Sequence, residues 1–181
     1  MITIAQLNAL NNDEALDNFV QLYNQSCLAV CLDLLIYDQN QIIQNRWNDN
    51  RGNYGPLQNL NQAPAPDRDE IANFLAQDFE EAPEGFRHIQ VPDLNTPLER
   101  QNFANQVNAE LNNSDIIITG IVGHASIYFR NQNRLFSPRM PDGDGSRLMH
   151  WNPGPIAYQV NANNQFELWG EITPMILTCN F

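Results

Sequence analysis

An α+β fold, with N-terminal helices packed on a C-terminal antiparallel sheet, is what this chain predicts. Two capping boxes, Thr3-Ile4-Ala5-Gln6 and Thr96-Pro97-Leu98-Glu99, open helices in the first part of the chain; in each, the threonine oxygen and the residue three places on satisfy free amides reciprocally. After Asp115 the apolar runs shorten to strand length: Ile116 to Val122, His124 to Phe129, Leu135 to Ser137, Ile156 to Val160 and Phe166 to Ile172. Between them lie Arg130-Asn131-Gln132-Asn133 and Asn161-Ala162-Asn163-Asn164, turns whose asparagines tolerate positive φ and suit antiparallel hairpins. Helices followed by strands make an α+β domain. The 181 residues suit a single domain over 1–181, helical over about 1–113 and sheet over about 115–181.

The elements follow in order. Thr3 caps a short first helix. Asn12 caps a second, where Asp13 and Glu14 complement the positive helix end and Leu16, Phe19, Val20 and Tyr23 recur on the core face. The stretch from Cys27 to Tyr37 has two readings. As a helix it lines up Leu28, Cys31, Leu32, Leu35 and Ile36 behind a Ser26 or Asn24 cap; as a strand it pairs with Gln41 to Trp47 across Asp38-Gln39-Asn40. Its Ala, Leu and Cys content, poor in β-branching, favours helix. From Asn48 to Asp67 the Asn, Gln, Gly and Pro content predicts a long surface loop. Asp67 caps a helix to about Glu81 with Ile71, Phe74, Leu75 and Phe79 inward, and Pro97 starts another to about Asn112 with Phe103, Val107 and Leu111 inward.

The net charge of −12 argues against nucleic acid and anionic membrane surfaces as partners, leaving basic or neutral proteins. No apolar run approaches the roughly 20 residues of a membrane span. Met1-Ile2-Thr3-Ile4-Ala5-Gln6 shows no basic and apolar leader, so the expected location is cytoplasmic, or a host cell reached without a cleavable signal. All nine basic residues are arginine. Drift in genome composition accounts for that. So does action inside a eukaryotic cell, where a chain without lysine offers no ubiquitin acceptor of that type. Cys27, Cys31 and Cys179 are odd in number and lack a paired framework, and His88, His124 and His150 are scattered. No disulfide scaffold, metal or other cofactor is expected.

The candidate chemistry lies in Gln21-Leu-Tyr-Asn-Gln-Ser-Cys27 and in Gly123-His124-Ala125. A thiol is mostly protonated at neutral pH unless a helix N-terminus or an imidazole lowers its pKa, and Cys27 has the place for both. Gln21 is positioned to donate its amide N–H to an oxyanion beside the Cys27 backbone N–H. Each residue also has a structural use. Free cysteine packs readily in cores, His124 fits a strand edge, and Trp47, Trp151 and Trp169 suit core packing as well as ligand stacking. Asp142-Gly-Asp144-Gly is a surface turn, since the other ligands of a calcium cage are missing.

Gln21-x5-Cys27-x3-Cys31-Leu32, with Gly-His-Ala opening a strand downstream, resembles the papain-like cysteine hydrolase superfamily, most closely its bacteriocin-processing peptidases and effector-type members. The resemblance implies a papain-like fold with Cys27 as nucleophile, His124 as base and Gln21 at the oxyanion. It departs at Leu28, where glycine is usual, and at Ser137, where an aspartate or asparagine would orient the imidazole. Asp142, ranked above Asp144, is the first choice to supply that acceptor, and Asn152 is a further alternative. The implied activity is cysteine-dependent amide hydrolysis, by a protease or a protein-glutamine deamidase, in a bacterial effector or toxin acting on a protein in a host cell. Two other classes fit the sequence: a non-catalytic acidic binding module such as an immunity or adaptor protein, and a structural protein of a phage or secretion particle.

Overall fold

In the computed structural model the described residues are 1–23, 26–50, 87–90, 94–121, 124–139, 145–173 and 175–181. Among them a six-stranded antiparallel sheet runs in the order β1-β9-β2-β3-β4-β5. Its strands are β1 (Arg87–Gln90), β2 (Ile116–Ile121), β3 (His124–Phe129), β4 (Arg134–Ser137), β5 (Arg147–His150) and β9 (Met175–Cys179). A second sheet holds β6 (Tyr158–Val160), β7 (Phe166–Leu168) and β8 (Glu171–Ile172). The α+β class therefore holds.

Strand alternation sorts the large sheet's side chains into two cores. Ile116, Ile118, Ala125, Ile127, Phe129, Phe136, Leu177 and Cys179 face one layer, packed against helix α3 (Cys27–Ile36) and the N-terminal segments. Ile117, Tyr128 and Ile176 face the other, with Val107 and Leu111 of α5 (Pro97–Asn112) and with Tyr158, Phe166 and Leu168 of the small sheet. Burial on both faces explains the unbroken Ile116-Ile117-Ile118 run. On α5, Asn108 serves as a strand edge: its side-chain amide donates to the Tyr158 carbonyl at 3.0 Å and accepts from the Tyr158 N–H at 2.7 Å.

Both capping boxes form, at Thr3 for α1 (Ile4–Ala9) and at Thr96 for α5. Val107 and Leu111 are buried as expected, whereas Phe103 is only partly covered. The 27–37 stretch is helical, ending in Tyr37 in the left-handed region. Gln41 to Trp47 accordingly does not form a strand: α4 spans Ile42–Asn50.

Other expectations need correction. The second helix, α2 (Asp13–Leu16), has its Asn12 cap, but Phe19, Val20 and Tyr23 lie beyond it. The chain leaves the helix because Phe19 N–H bonds back to Leu16 and Gln21 N–H is captured by the Arg139 carbonyl at 2.9 Å. The surface loop expected from Asn48 begins no earlier than 51, since α4 runs on through Asn50; residues 51–67, and the helix expected from Asp67 to Glu81, lie outside the described residues. The division at residue 113 also fails, because β1 lies before it and pairs with β9. The expected run Phe166 to Ile172 is two strands, divided at Trp169 and Gly170, both at positive φ. That is the geometry of a tight two-residue hairpin turn, and the glycine suits it better than the indole. The strands β5 and β9 were not foreseen.

Candidate functional site

Cys27 is the first residue of α3, and Ser26 before it makes no side-chain cap. The Ser26 hydroxyl instead lies 2.8 Å from the Tyr23 carbonyl and 2.9 Å from Gln44 Oε1. The backbone amides of Cys27, Leu28 and Ala125 lie near enough to act on the sulfur. Those three amides pull the thiol pKa down, but burial outweighs them and leaves it above the ordinary value of 9.0. The lowered thiol pKa expected from a helix N-terminus is thus not found at rest, because the dry surroundings penalise the thiolate.

The segment leading to Cys27 is held by a polar chain that sequence reasoning missed. Asp33, fully buried on α3, accepts from the Ile43 N–H at 2.8 Å and the Gln44 N–H at 3.2 Å and so caps α4. Burial raises its carboxyl pKa from 3.8 to about 7 against the pull of those amides, with Asp38 adding to the rise. Gln44, also fully buried, accepts from the Leu22 N–H at 3.1 Å and donates to the Val20 carbonyl at 3.0 Å. One side chain therefore fixes Val20, Leu22 and Ser26. The charge inside the run Cys31-Leu32-Asp33-Leu34-Leu35 was a visible signal for Asp33; nothing in the sequence marks Gln44.

His124 opens β3 as expected, opposite Ile121 of β2. Its ring lies on the face of the large sheet away from α3 and toward α5. Ala125, Ile127 and Phe129 point to α3, so His124 shares the parity of Tyr128 and the second core. Its Nε2 lies 2.9 Å from Ser137 Oγ, the ring's hydrogen-bond partner among the described residues. Burial, and then the Arg139 guanidinium, hold the imidazole below its usual 6.5. Cys27 and His124 therefore approach the same strand end from opposite faces, the sulfur meeting the backbone of the residue next to the histidine.

Gln21 is buried, and its Nε2 donates to the Pro138 carbonyl at 3.2 Å. It stands near the histidine partner Ser137 with one of its two amide hydrogens committed. Asp142 and Asp144 lie outside the described residues. Asn152 is exposed and accepts from the Gly154 N–H at 3.2 Å. Cys31 is fully buried, with its thiol pushed far up by burial, and burial pushes the Cys179 thiol up to about 12. Trp151 and Trp169 pack edge to face at 4.7 Å and both meet Tyr128, so these indoles fill the second core. Among the described residues no cluster of three His, Cys, Asp or Glu side chains forms, and no helix is long and apolar enough to cross a membrane.

Comparison of the chain with protein-family models, curated proteins and solved structures finds no match.

Proposed function

We propose that the protein is a cysteine-dependent amide hydrolase, a protease or a protein-glutamine deamidase, with Cys27 as nucleophile and His124 as base. The observation that carries this is the sulfur at the head of α3, acted on by the amide of Ala125, the residue immediately after a histidine whose Nε2 is held by Ser137. Two of the groups a papain-like reading asks for, Cys27 and His124, lie around one strand end, with Gln21 anchored to the Pro138 carbonyl next to Ser137.

Both partners rest neutral, a raised thiol beside a lowered imidazole. The chemistry this permits is general-base activation. The step requires the ring to turn round the strand end toward the sulfur; Nδ1, which has no hydrogen-bond partner among the described residues, then takes the thiol proton as sulfur attacks the amide carbon. The Cys27 N–H and the second amide hydrogen of Gln21 receive the oxyanion. His124 then gives its proton to the departing amine, or to ammonia in a deamidation. Water cleaves the thioester and restores the thiol. Ser137 positions the ring in place of the usual carboxylate or carboxamide. The lack of lysine and the acidic charge fit an effector acting on one basic or neutral protein.

The test is labelling with an electrophilic thiol probe, mapped by mass spectrometry. Labelling at Cys27 alone, lost in Cys27→Ala, weakened in Ser137→Ala and reduced most in His124→Ala, is the expected result. Equal or absent labelling of Cys27 and Cys31 in the folded protein sinks the proposal and leaves an acidic binding module as the better reading.

A further inference from the structure

Arg139 is the described arginine with an unbonded, buried Nε that lies at the candidate site. Arg87 is paired with Glu110 at 2.7 Å; Arg134 donates to the Leu7 and Leu10 carbonyls, and Arg100 to the Leu94 carbonyl. Arg139 has no acidic or carbonyl partner for its guanidinium among the described residues, and its Nε is buried without a hydrogen bond. Arg100 and Arg130 also bury an unbonded Nε, but neither lies at the candidate site. A sequestered guanidinium hydrogen without an acceptor is costly, and an incoming anion relieves that cost.

Its position is set by the sheet. The β3–β4 register pairs Ile127 with Phe136. β4 ends at Ser137, whose Oγ meets the His124 ring, and Arg139 follows two residues later. The Arg139 backbone is pinned on both sides: its carbonyl accepts from the Gln21 N–H at 2.9 Å and its N–H donates to Ser146 Oγ at 3.1 Å. A guanidinium, a hydroxyl and an imidazole thus gather at one strand end, and the guanidinium is close enough for its charge to bear on the ring. A planar carboxylate suits the guanidinium and the Ser137 hydroxyl, because arginine offers it a fork of parallel N–H groups, and the neighbouring imidazole senses its charge.

We propose that Arg139, with Ser137 and His124, forms a carboxylate-binding site. Resting on the hydrolase reading, the occupant is an acidic group of the substrate close to the amide that Cys27 attacks. Carboxylate binding itself does not depend on Cys27, so the two proposals fail separately.

The experiment follows the His124 imidazole by NMR during titration with sodium acetate, with acetamide as the neutral counterpart at matched ionic strength. Acetate is expected to shift the His124 resonances saturably and to raise the imidazole pKa, since a nearby anion favours the charged ring. Acetamide produces neither change. Arg139→Gln, checked for folding by circular dichroism, weakens acetate binding at least about tenfold, the low end for a hydrogen bond to a charged group. Arg139→Lys retains part of the binding and serves where the glutamine variant does not fold. Cys27→Ala leaves it unchanged. An acetate response that is absent, matched by acetamide, or undiminished in both Arg139 variants overturns the carboxylate site. Loss of Cys27 labelling with the acetate response intact removes the hydrolase reading and leaves the carboxylate site standing.

Discussion

The two faces of the large sheet are built differently. The α3 face is mainly aliphatic, with Leu32, Leu34, Leu35, Ile116, Ile118 and Leu177 at or near zero exposure and one buried polar chain through Asp33 and Gln44. The opposite face is aromatic, with Tyr128, Trp151 and Trp169 in mutual edge-to-face contact and Tyr158 stacked on Phe166. Cys27 belongs to the first face and is positioned by side-chain hydrogen bonds. His124 and Ser137 belong to the second and are positioned by strand register, and Arg139 follows two residues beyond β4. Perturbing one face should therefore move one half of the candidate site and spare the other.

The largest expected effect is in the aliphatic layer. Phe129→Ala removes a fully buried ring and should cost about 4 kcal/mol in urea unfolding. An indifferent variant would mean that this face is not the closely packed one. Next comes Gln44→Ala, which strips partners from Val20, Leu22 and Ser26. It should cost about 3 kcal/mol and alter Cys27 labelling, with the His124 resonances unchanged in the folded variant. Movement of both halves together would break the comparison.

A smaller effect separates the charge of Asp33 from its hydrogen bonds. Its carboxyl is raised in the folded state, so the native protein holds that proton at pH values where the unfolded chain has released it. Stability from this group therefore falls as pH rises from about 4 to about 7 and is level above that. In Asp33→Asn the thermal midpoint should lack this component, so the wild-type minus variant difference declines across that window. A difference that rises with pH would contradict the assignment. The smallest effect is on the aromatic face: Trp169 buries its Nε1 without a partner among the described residues, so Trp169→Phe removes no hydrogen bond seen there and should stay within about 1 kcal/mol in urea unfolding. A larger loss would mean that the indole does more than pack.

The sequence made the local signals legible. Both capping boxes, α3, the asparagine turns and His124 at a strand start could be read because each depends on neighbours within a few residues. What escaped depends on contacts distant in sequence. The short α2 follows from Gln21 bonding to Arg139, and α4 begins where Asp33 and Asp38 supply acceptors for its first amides. β9 sits between β1 and β2 although it ends the chain. At the site, Cys27 as a helix head is readable, but the face on which His124 points requires the register, and Ser137, a departure from the papain-like pattern, is the ring's partner.

The most direct test of the nucleophile assignment is the pH dependence of Cys27 alkylation by iodoacetamide, in the wild type and in His124→Gln. The imidazole accepts the thiol proton only when neutral, and burial and Arg139 set its pKa below 6.5. The rate should therefore rise through a first limb below pH 6.5, level off, and rise again above pH 9.0 as the raised thiol ionises by itself. In His124→Gln only the upper limb should remain. A wild-type profile with the upper limb alone, superimposable on that of the variant, would show that Cys27 is a buried structural thiol and that His124 is not its base.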